Sequence, residues 1–136
     1  MKAILILGSE VDQPHAEKIT AELEKLEIPF EITVASAHKN TREVLALIEK
    51  NESDPSTSSG QEKKLVYITI AGRSNALSGV VAANSTKPVL ACPPFKDKDD
   101  YLVNIHSTLQ MPSNTPVLTV IDPVNCAQAA ARILKN

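Results

Sequence analysis

Phe30-Glu31-Ile32-Thr33-Val34-Ala35-Ser36-Ala37-His38-Lys39 combines an apolar, β-branched run with the polar tetrad Ser36 to Lys39. The run is typical of a strand. In an open parallel sheet, ligands bind beyond the carboxyl ends of the strands. This strand would therefore carry a hydroxyl, an imidazole and an ammonium to one rim of the sheet. Together these groups can hold a phosphate and transfer a proton, although a solvated connecting loop is an alternative interpretation of the same residues.

On both sides of this segment, apolar runs of strand length alternate with helical patterns. The predicted strands are Lys2 to Leu7, the Phe30 strand, Leu65 to Ile70, Pro88 to Ala91, and Val117 to Ile121. The first predicted helix is capped by Asp12, has Pro14 in its first turn, and buries Ala16, Ile19, Leu23 and Leu26. The later predicted helices are one that begins at Asn40-Thr41-Arg42-Glu43 and carries Val44, Leu47 and Ile48, then Leu77 to Asn84, Asp99 to Leu109, and Asn125 to Leu134.

Strands that alternate with helices predict an α/β fold. Right-handed crossovers would arrange it as a three-layer sandwich with a central, mainly parallel sheet, similar to flavodoxin or Rossmann folds. A chain of 136 residues corresponds to a single domain, residues 1–136. The polar segment from about 51 to 64 is expected to be a mobile surface loop without a chemical role.

Composition argues against several functional classes. The formal net charge is −2, and Lys and Arg are scattered, so neither nucleic acid nor a membrane is the expected partner. Cys92 and Cys126 lack metal-ligand spacing, and His15 and His106 are interpreted as surface histidines, so no metal site is expected. The chain starts with a strand pattern instead of a secretory signal, which predicts a soluble, cytoplasmic protein.

Three polar clusters follow the predicted strands, and they define the candidate site. They are Gly8, Ser9 and Asp12 after the first strand, the Ser36 tetrad after the second, and Gly72 to Asn75 after the third. Neither a dinucleotide-binding glycine motif nor a P-loop is present. A phosphoacceptor receiver would need an Asp where this chain has Ala71-Gly72, and a flavin site usually has aromatic walls. The rim therefore fits none of these common classes.

The motifs together resemble the AIR carboxylase family (phosphoribosylaminoimidazole carboxylase) of purine synthesis. Single motifs of this kind are weak, but five occur in the expected order over nearly the whole chain. They are Gly8-Ser9-x-x-Asp12, Ser36-Ala37-His38-Lys39, Ala71-Gly72-Arg73-Ser74-Asn75-Ala76-Leu77, Ala91-Cys92-Pro93-Pro94 and Leu109-Gln110-Met111-Pro112-Ser113.

The third-strand loop distinguishes two classes within the family. The class that acts on N5-carboxyaminoimidazole ribonucleotide as a mutase has a loop similar to G-G-A-A-H, with a second His. Here the corresponding residues run from Gly72 to Ala76 and contain no His. Arg73-Ser74-Asn75, together with Lys39, is similar to the class that carboxylates 5-aminoimidazole ribonucleotide (AIR) directly with CO2.

The resemblance implies a role for each site residue. Ser9 and Lys39 would hold the 5′-phosphate, and Asp12 would bind the ribose hydroxyls. The turn from Ala71 to Asn75 would receive CO2, with Ser74 and Lys39 stabilising the developing carboxylate, and His38 would move the C4 proton. The remaining substrate contacts implied by the resemblance are Gly8, Ser36, Ala71, Gly72, Arg73, Asn75 and Met111. No ATP, biotin or metal is expected as a cofactor.

The sequence also departs from the family pattern. Val11 stands where the family's G-S-x-S-D motif has a second Ser that helps to bind phosphate. The family's further C-terminal helix, which it uses in subunit contacts, would lie beyond Asn136. A homo-oligomer, possibly an octamer, is expected by resemblance. A non-catalytic homologue that binds nucleotide phosphate or is structural, and the mutase, stay open as alternatives.

Overall fold

A computed structural model describes residues 1–53 and 63–136 of the chain. The strands are β1 (Lys2–Leu7), β2 (Phe30–Val34), β3 (Leu65–Ile70), β4 (Val89–Ala91) and β5 (Leu118–Thr119). The helices are α1 (Gln13–Lys25), α2 (Thr41–Glu52), α3 (Leu77–Asn84), α4 (Lys98–Leu109) and α5 (Pro123–Lys135), with a short 3-10 helix at Glu10–Asp12.

The five strands form one parallel sheet in the order β2-β1-β3-β4-β5. β1 and β3 are central and almost wholly buried, which explains their continuous apolar sequences. Alternate residues of β1 point to opposite faces: Leu5 and Leu7 pack in a core with α1 and α5, whereas Ile4 and Ile6 pack in a second core with α2 and α3. The predicted three-layer α/β fold is therefore confirmed.

Strand order determines where a ligand can bind. The chain passes from β1 to β2 on one side of the sheet, and then crosses to β3 on the other side of β1. The segments that leave the carboxyl ends of β1 and β3 therefore diverge and leave a crevice between them. Gly8 allows the two segments to lie close together where they leave the sheet, because a Cβ at this position would lie 3.3 Å from the Ala71 Cβ.

Several predicted boundaries were wrong by one or more residues. β5 is shorter than the predicted Val117 to Ile121, because the adjacent β4 is itself short and pairs only through Leu90 and Ala91. α5 begins at Pro123 instead of Asn125, because the carboxylate of Asp122 accepts a hydrogen bond from the Asn125 N–H and caps the helix at 2.8 Å. β4 begins one residue later than predicted and α4 one residue earlier.

The predicted Asp12 cap of α1 is not made by a side-chain hydrogen bond, and α2 also starts without one. Asp12 and Asn40 both occupy N-cap positions, but neither side chain accepts a hydrogen bond from its helix backbone. The Asn40 amide donates instead to the Glu43 carboxylate. Thr41 donates its hydroxyl to the Ala37 carbonyl, which ties the start of α2 back to the end of the β2 loop.

The predicted loop from 51 to 64 is partly helical. Asn51 and Glu52 belong to α2, and the buried Asn51 amide donates to the Leu47 carbonyl at 2.9 Å. The Glu52 carboxylate accepts a hydrogen bond from the Tyr67 hydroxyl at 3.0 Å. Burial, followed by the Glu52 charge, raises the Tyr67 pKa well above its ordinary value. Residues 54–62 of that predicted loop lie outside the described residues.

One predicted surface histidine is partly internal. His15 is half-buried, and its Nε2 lies 3.5 Å from the Sγ of the buried Cys92, whereas His106 is exposed as predicted. Hydrogen bonding with Cys126, together with burial, raises the pKa of the Cys92 thiol. Within residues 1–53 and 63–136, no group of three or more His, Cys, Asp or Glu side chains is placed to hold a metal ion. No described helix is long and apolar enough to cross a bilayer.

Candidate active site

A cleft of about 660 Å³ lies at the carboxyl end of the sheet, where the loops after the first four strands meet. This volume is in the usual range for a small-molecule site, roughly 300 to 1,000 Å³. The cleft brings together most of the residues predicted from sequence, which come from three strand ends. They are Gly8, Ser9, Asp12, Ser36, His38, Lys39, Ala71, Gly72, Arg73 and Ser74.

The loop after β1 contributes a hydroxyl, a carboxylate and an apolar side chain. The Ser9 hydroxyl accepts a hydrogen bond from the Val11 N–H at 3.4 Å and can still donate its own proton to a ligand. Val11 lines the cleft and is 81% exposed, so it is not a core residue. Asp12 is buried, and desolvation raises the pKa of its carboxyl group, although a hydrogen bond with the Ser9 backbone opposes the shift.

The loop after β2 holds His38 and Lys39 in a tight turn. The Ser36 hydroxyl accepts a hydrogen bond from the Lys39 N–H at 3.2 Å, and the Ser36 carbonyl accepts one from the Asn40 N–H at 2.8 Å. Ala37 is buried, while His38 and Lys39 are exposed. The turn therefore anchors one small residue in the core and presents the two functional groups to the cleft.

The loop after β3 places Arg73 and Ser74 in the cleft but turns the next residue inward. Asn75, also predicted to contact substrate, is 5% exposed and does not line the cleft. Its amide is hydrogen-bonded to Ser78 and Thr108. Met111 is also away from the cleft: it lines a separate groove, and its Sδ lies 3.2 Å from the position that a Cβ on Gly79 would occupy.

Sequence reasoning missed the fourth side of the cleft. Phe95 and Lys96 follow β4, and Asp100 and Asn104 lie on α4; all four line the cleft. Because ligands bind beyond the carboxyl ends of parallel strands, the position of Phe95 and Lys96 after the predicted fourth strand could have indicated these two residues from sequence. The Phe95 ring packs edge-to-face on Tyr101 with 5.1 Å between centroids.

Charge is mixed across the cleft. Its lining includes the cations Lys39, Arg73 and Lys96 and the carboxylates Asp12 and Asp100. A hydrogen bond from the Lys96 N–H at 2.9 Å holds the pKa of Asp100 below its ordinary range, with smaller contributions from Asn104 and Arg73. Lys39 forms no ion pair within the described part of the chain, so its charge is available to an anionic ligand.

A parallel α/β sheet with a polar cleft at its switch point is the arrangement of a small-molecule-binding protein. The family model for AIR carboxylase matches residues 2–136. The phosphoribosylaminoimidazole carboxylase of Archaeoglobus fulgidus is 40% identical over 133 residues, which are 98% of this chain and 68% of that protein. The chain belongs to the AIR carboxylase family, as the motifs predicted.

Two further comparisons agree with this assignment. The bifunctional phosphoribosylaminoimidazole carboxylase/phosphoribosylaminoimidazole succinocarboxamide synthetase of Drosophila melanogaster is 37% identical over 131 residues, which are 96% of this chain but only 29% of that protein. The crystal structure of Treponema denticola PurE superposes with a TM-score of 0.85 at 39% identity, covering 98% of this chain and 80% of that chain.

Burial of Asp12 predicts that its ionised carboxylate destabilises the folded protein near neutral pH. Because desolvation raises its pKa above the ordinary 3.8, the folded protein binds this proton more tightly than the unfolded chain does. The ionised carboxylate therefore destabilises the fold fully above the raised pKa, and the penalty disappears as pH falls through that value towards 3.8. Asp12→Asn should raise Tm near neutral pH, by an amount that shrinks on acidification.

Thermal denaturation followed by circular dichroism across a pH series measures this difference. Asp99→Asn, at an exposed position on α4, is the control and should give no gain in Tm. A lower Tm for Asp12→Asn than for the parent at neutral pH would show that hydrogen bonds to the carboxylate outweigh its desolvation.

Proposed function

We propose that this protein carboxylates AIR at C4 with CO2, giving 4-carboxy-5-aminoimidazole ribonucleotide in de novo purine synthesis. The observation that carries the proposal is the convergence of His38, Lys39 and Ser74 from two strand ends on one cleft. His38 is the only histidine that lines the cleft in the described part of the chain. This supports the class that uses CO2 over the mutase class, whose resemblance would require a second His.

The chemistry requires little from the protein besides placement and proton transfer. The exocyclic amine of AIR makes C4 an enamine-like nucleophile, so C4 attacks the carbon of CO2 and a new C–C bond forms. One C=O electron pair moves onto oxygen to give a carboxylate. Loss of the C4 proton then returns its bonding pair to the ring and restores aromaticity. The reaction as written uses no ATP, biotin or metal. Its reverse breaks the same carbon–carbon bond, so the proposed enzyme is a carbon–carbon lyase.

In this proposal the cleft residues divide between binding and chemistry. Ser9 and Lys39 bind the 5′-phosphate. An ammonium that forms no ion pair with the described residues and a hydroxyl with a free proton both favour this role. Asp12 accepts hydrogen bonds from the ribose hydroxyls. The turn from Ala71 to Ser74 receives CO2, with Gly72 allowing close approach and Ser74 and Lys39 stabilising the carboxylate charge. His38 takes the C4 proton, since imidazole side chains as a class exchange protons near neutral pH.

Two other functions would use the same cleft. A non-catalytic nucleotide-phosphate-binding or structural homologue is favoured by one feature, the apolar Val11 at the phosphate end of the site. The intact set of His38, Lys39, Arg73 and Ser74 favours the enzyme. Assembly as a homo-oligomer, possibly an octamer in the cytoplasm, is part of the proposal by family resemblance.

The direct test is to incubate the protein with AIR and bicarbonate, without ATP, and to follow formation of the carboxylated product. We expect product, and we expect added carbonic anhydrase to change the initial rate because CO2 is the true substrate. Efficient turnover of N5-carboxyaminoimidazole ribonucleotide with none of AIR plus CO2 would identify the mutase instead. Binding of AIR without turnover of either compound would identify the non-catalytic homologue.

His38→Asn should lower kcat by roughly a hundredfold or more, the usual contribution of a positioned general base. The Kd for AIR, measured by calorimetry, should stay within a few-fold of the parent because the phosphate and ribose groups are bound elsewhere. His106→Asn is the matched control, since His106 is exposed on α4 and does not line the cleft. A kcat for His38→Asn close to that of the control would remove His38 from the mechanism.

Val11→Ser should tighten AIR binding. A well-formed hydrogen bond to a charged group contributes about 1.5 to 3 kcal/mol, which sets the upper bound. A water already bridging to the phosphate would reduce the gain, so we expect a fall in Kd of roughly threefold to tenfold. Val103→Ser, at another exposed valine outside the cleft, should leave Kd unchanged. Weaker binding in Val11→Ser would mean that Ser9 and Lys39 bind the phosphate without help from this position.

A further inference from the structure

Five buried or half-buried polar residues lie behind the turn that carries Ser74: Thr69, Asn75, Ser78, Ser107 and Thr108, here called the Asn75 network. They come from β3, the β3–α3 turn, α3 and α4. None of them lines the cleft. Buried polar groups are costly unless hydrogen-bonded, so a network of this size next to a candidate site needs a physical reason.

Asn75 is the centre of this network. Its Oδ1 accepts a hydrogen bond from the Ser78 N–H at 3.1 Å, which caps α3, where the N-cap residue Ala76 has no side chain able to do so. Its Nδ2 donates to the Ser78 hydroxyl at 2.8 Å and to the Thr108 hydroxyl at 3.0 Å. Both amide protons and the carbonyl oxygen are therefore used.

The donor directions form a consistent chain. Because the single Thr69 hydroxyl proton is used on the Leu90 carbonyl, the Ser78 hydroxyl is the donor in its hydrogen bond to Thr69 Oγ1 at 2.6 Å. The Thr69 hydroxyl in turn donates to the Leu90 carbonyl at 3.4 Å. No buried side-chain nitrogen or oxygen in the described residues lacks a partner. A fully satisfied network of this kind favours one arrangement of the elements it joins.

The network also fixes the peptide unit between Ser74 and Asn75 from both sides. The Asn75 N–H donates to the Ser107 hydroxyl on α4 at 2.9 Å, and the Ser74 carbonyl accepts from the Ala76 N–H at 3.0 Å. The Ser107 hydroxyl donates in turn to the carbonyl of Asn104, a residue that lines the cleft. The orientation of Ser74 therefore depends on α4 as well as on its own loop.

From this geometry we infer that Asn75 is a positioning residue: it contacts no substrate, and it holds the turn from Ala71 to Ser74 in the shape that receives CO2, against α4. The assignment of this turn to CO2 rests on the proposed function. It predicts that the network supports the CO2 half of the site and not the AIR half, because the phosphate and ribose groups bind at the loops after β1 and β2.

Thr108 allows a test that leaves the cleft lining unchanged. Thr108→Val keeps the shape of the side chain but removes the hydroxyl that accepts from Asn75, whereas Thr108→Ser keeps the hydroxyl. Thr108→Val should lower kcat/KM for CO2 by roughly tenfold, since small misplacements of reacting groups are costly. The Kd for AIR should stay within about twofold, and Thr108→Ser should restore kcat/KM for CO2 to near the parent value.

Hydrogen exchange supplies a readout independent of activity. Peptides that cover residues 71–77 should exchange faster in Thr108→Val than in the parent or in Thr108→Ser, while peptides from α5 should not change. A variant with lower Tm but unchanged CO2 kinetics and unchanged exchange would overturn the inference, because Asn75 would then be only structural. Should the parent fail to carboxylate AIR, the proposed function is wrong and exchange alone decides: faster exchange at 71–77 supports the positioning role, and unchanged exchange overturns it.

Discussion

Parallel pairing of β1 with β3 is the constraint on which the rest of the structure depends. Six consecutive residue pairs, from Lys2 with Leu65 to Leu7 with Ile70, place both strand ends at the same level. Beyond them the Gly8 N–H donates to the Ile70 carbonyl at 2.9 Å, so the two loops leave the sheet side by side. The chain continues from β1 to β2 on one side of β1, whereas β3 lies on the other side. The loops after β1 and β3 therefore diverge, and the cleft is the space between them.

The site combines rigid and costly elements. Its backbone is held by turns whose side chains hydrogen-bond to nearby backbone groups; for example, the Ser36 hydroxyl accepts from the Lys39 N–H. The buried Asn75 network holds it as well. Against this, the fold buries the Asp12 carboxylate, and an exposed valine lies in the cleft lining. Neither feature stabilises the fold, because a buried carboxylate is costly and an exposed valine buries no apolar surface.

α4 takes part in the site in two ways. Asp100 and Asn104 line the cleft directly, while Ser107 and Thr108 of the same helix reach behind the β3 loop and bind Asn75. One helix therefore contacts both the space where a ligand would bind and the support of the turn beside it. Movement of α4 relative to α3 would therefore alter the Ser74 peptide and the cleft wall together.

The sequence by itself determined the layered α/β fold, the strand ends that carry Ser9, His38 and Ser74, and the family, because these depend on local periodicity and on motifs that are contiguous in the chain. Tertiary structure alone decided that Asn75 faces inward, that Met111 is away from the cleft, and that Asp100 and Asn104 of α4 line it. Asn75 and Ser74 are adjacent and both polar, but only the Asn75 amide is bound inside the protein. Its partners are Ser78, three residues away, and Thr108, which is 33 residues further along the chain. Local sequence specifies which groups reach the rim, whereas contacts between distant segments specify which of them meet solvent.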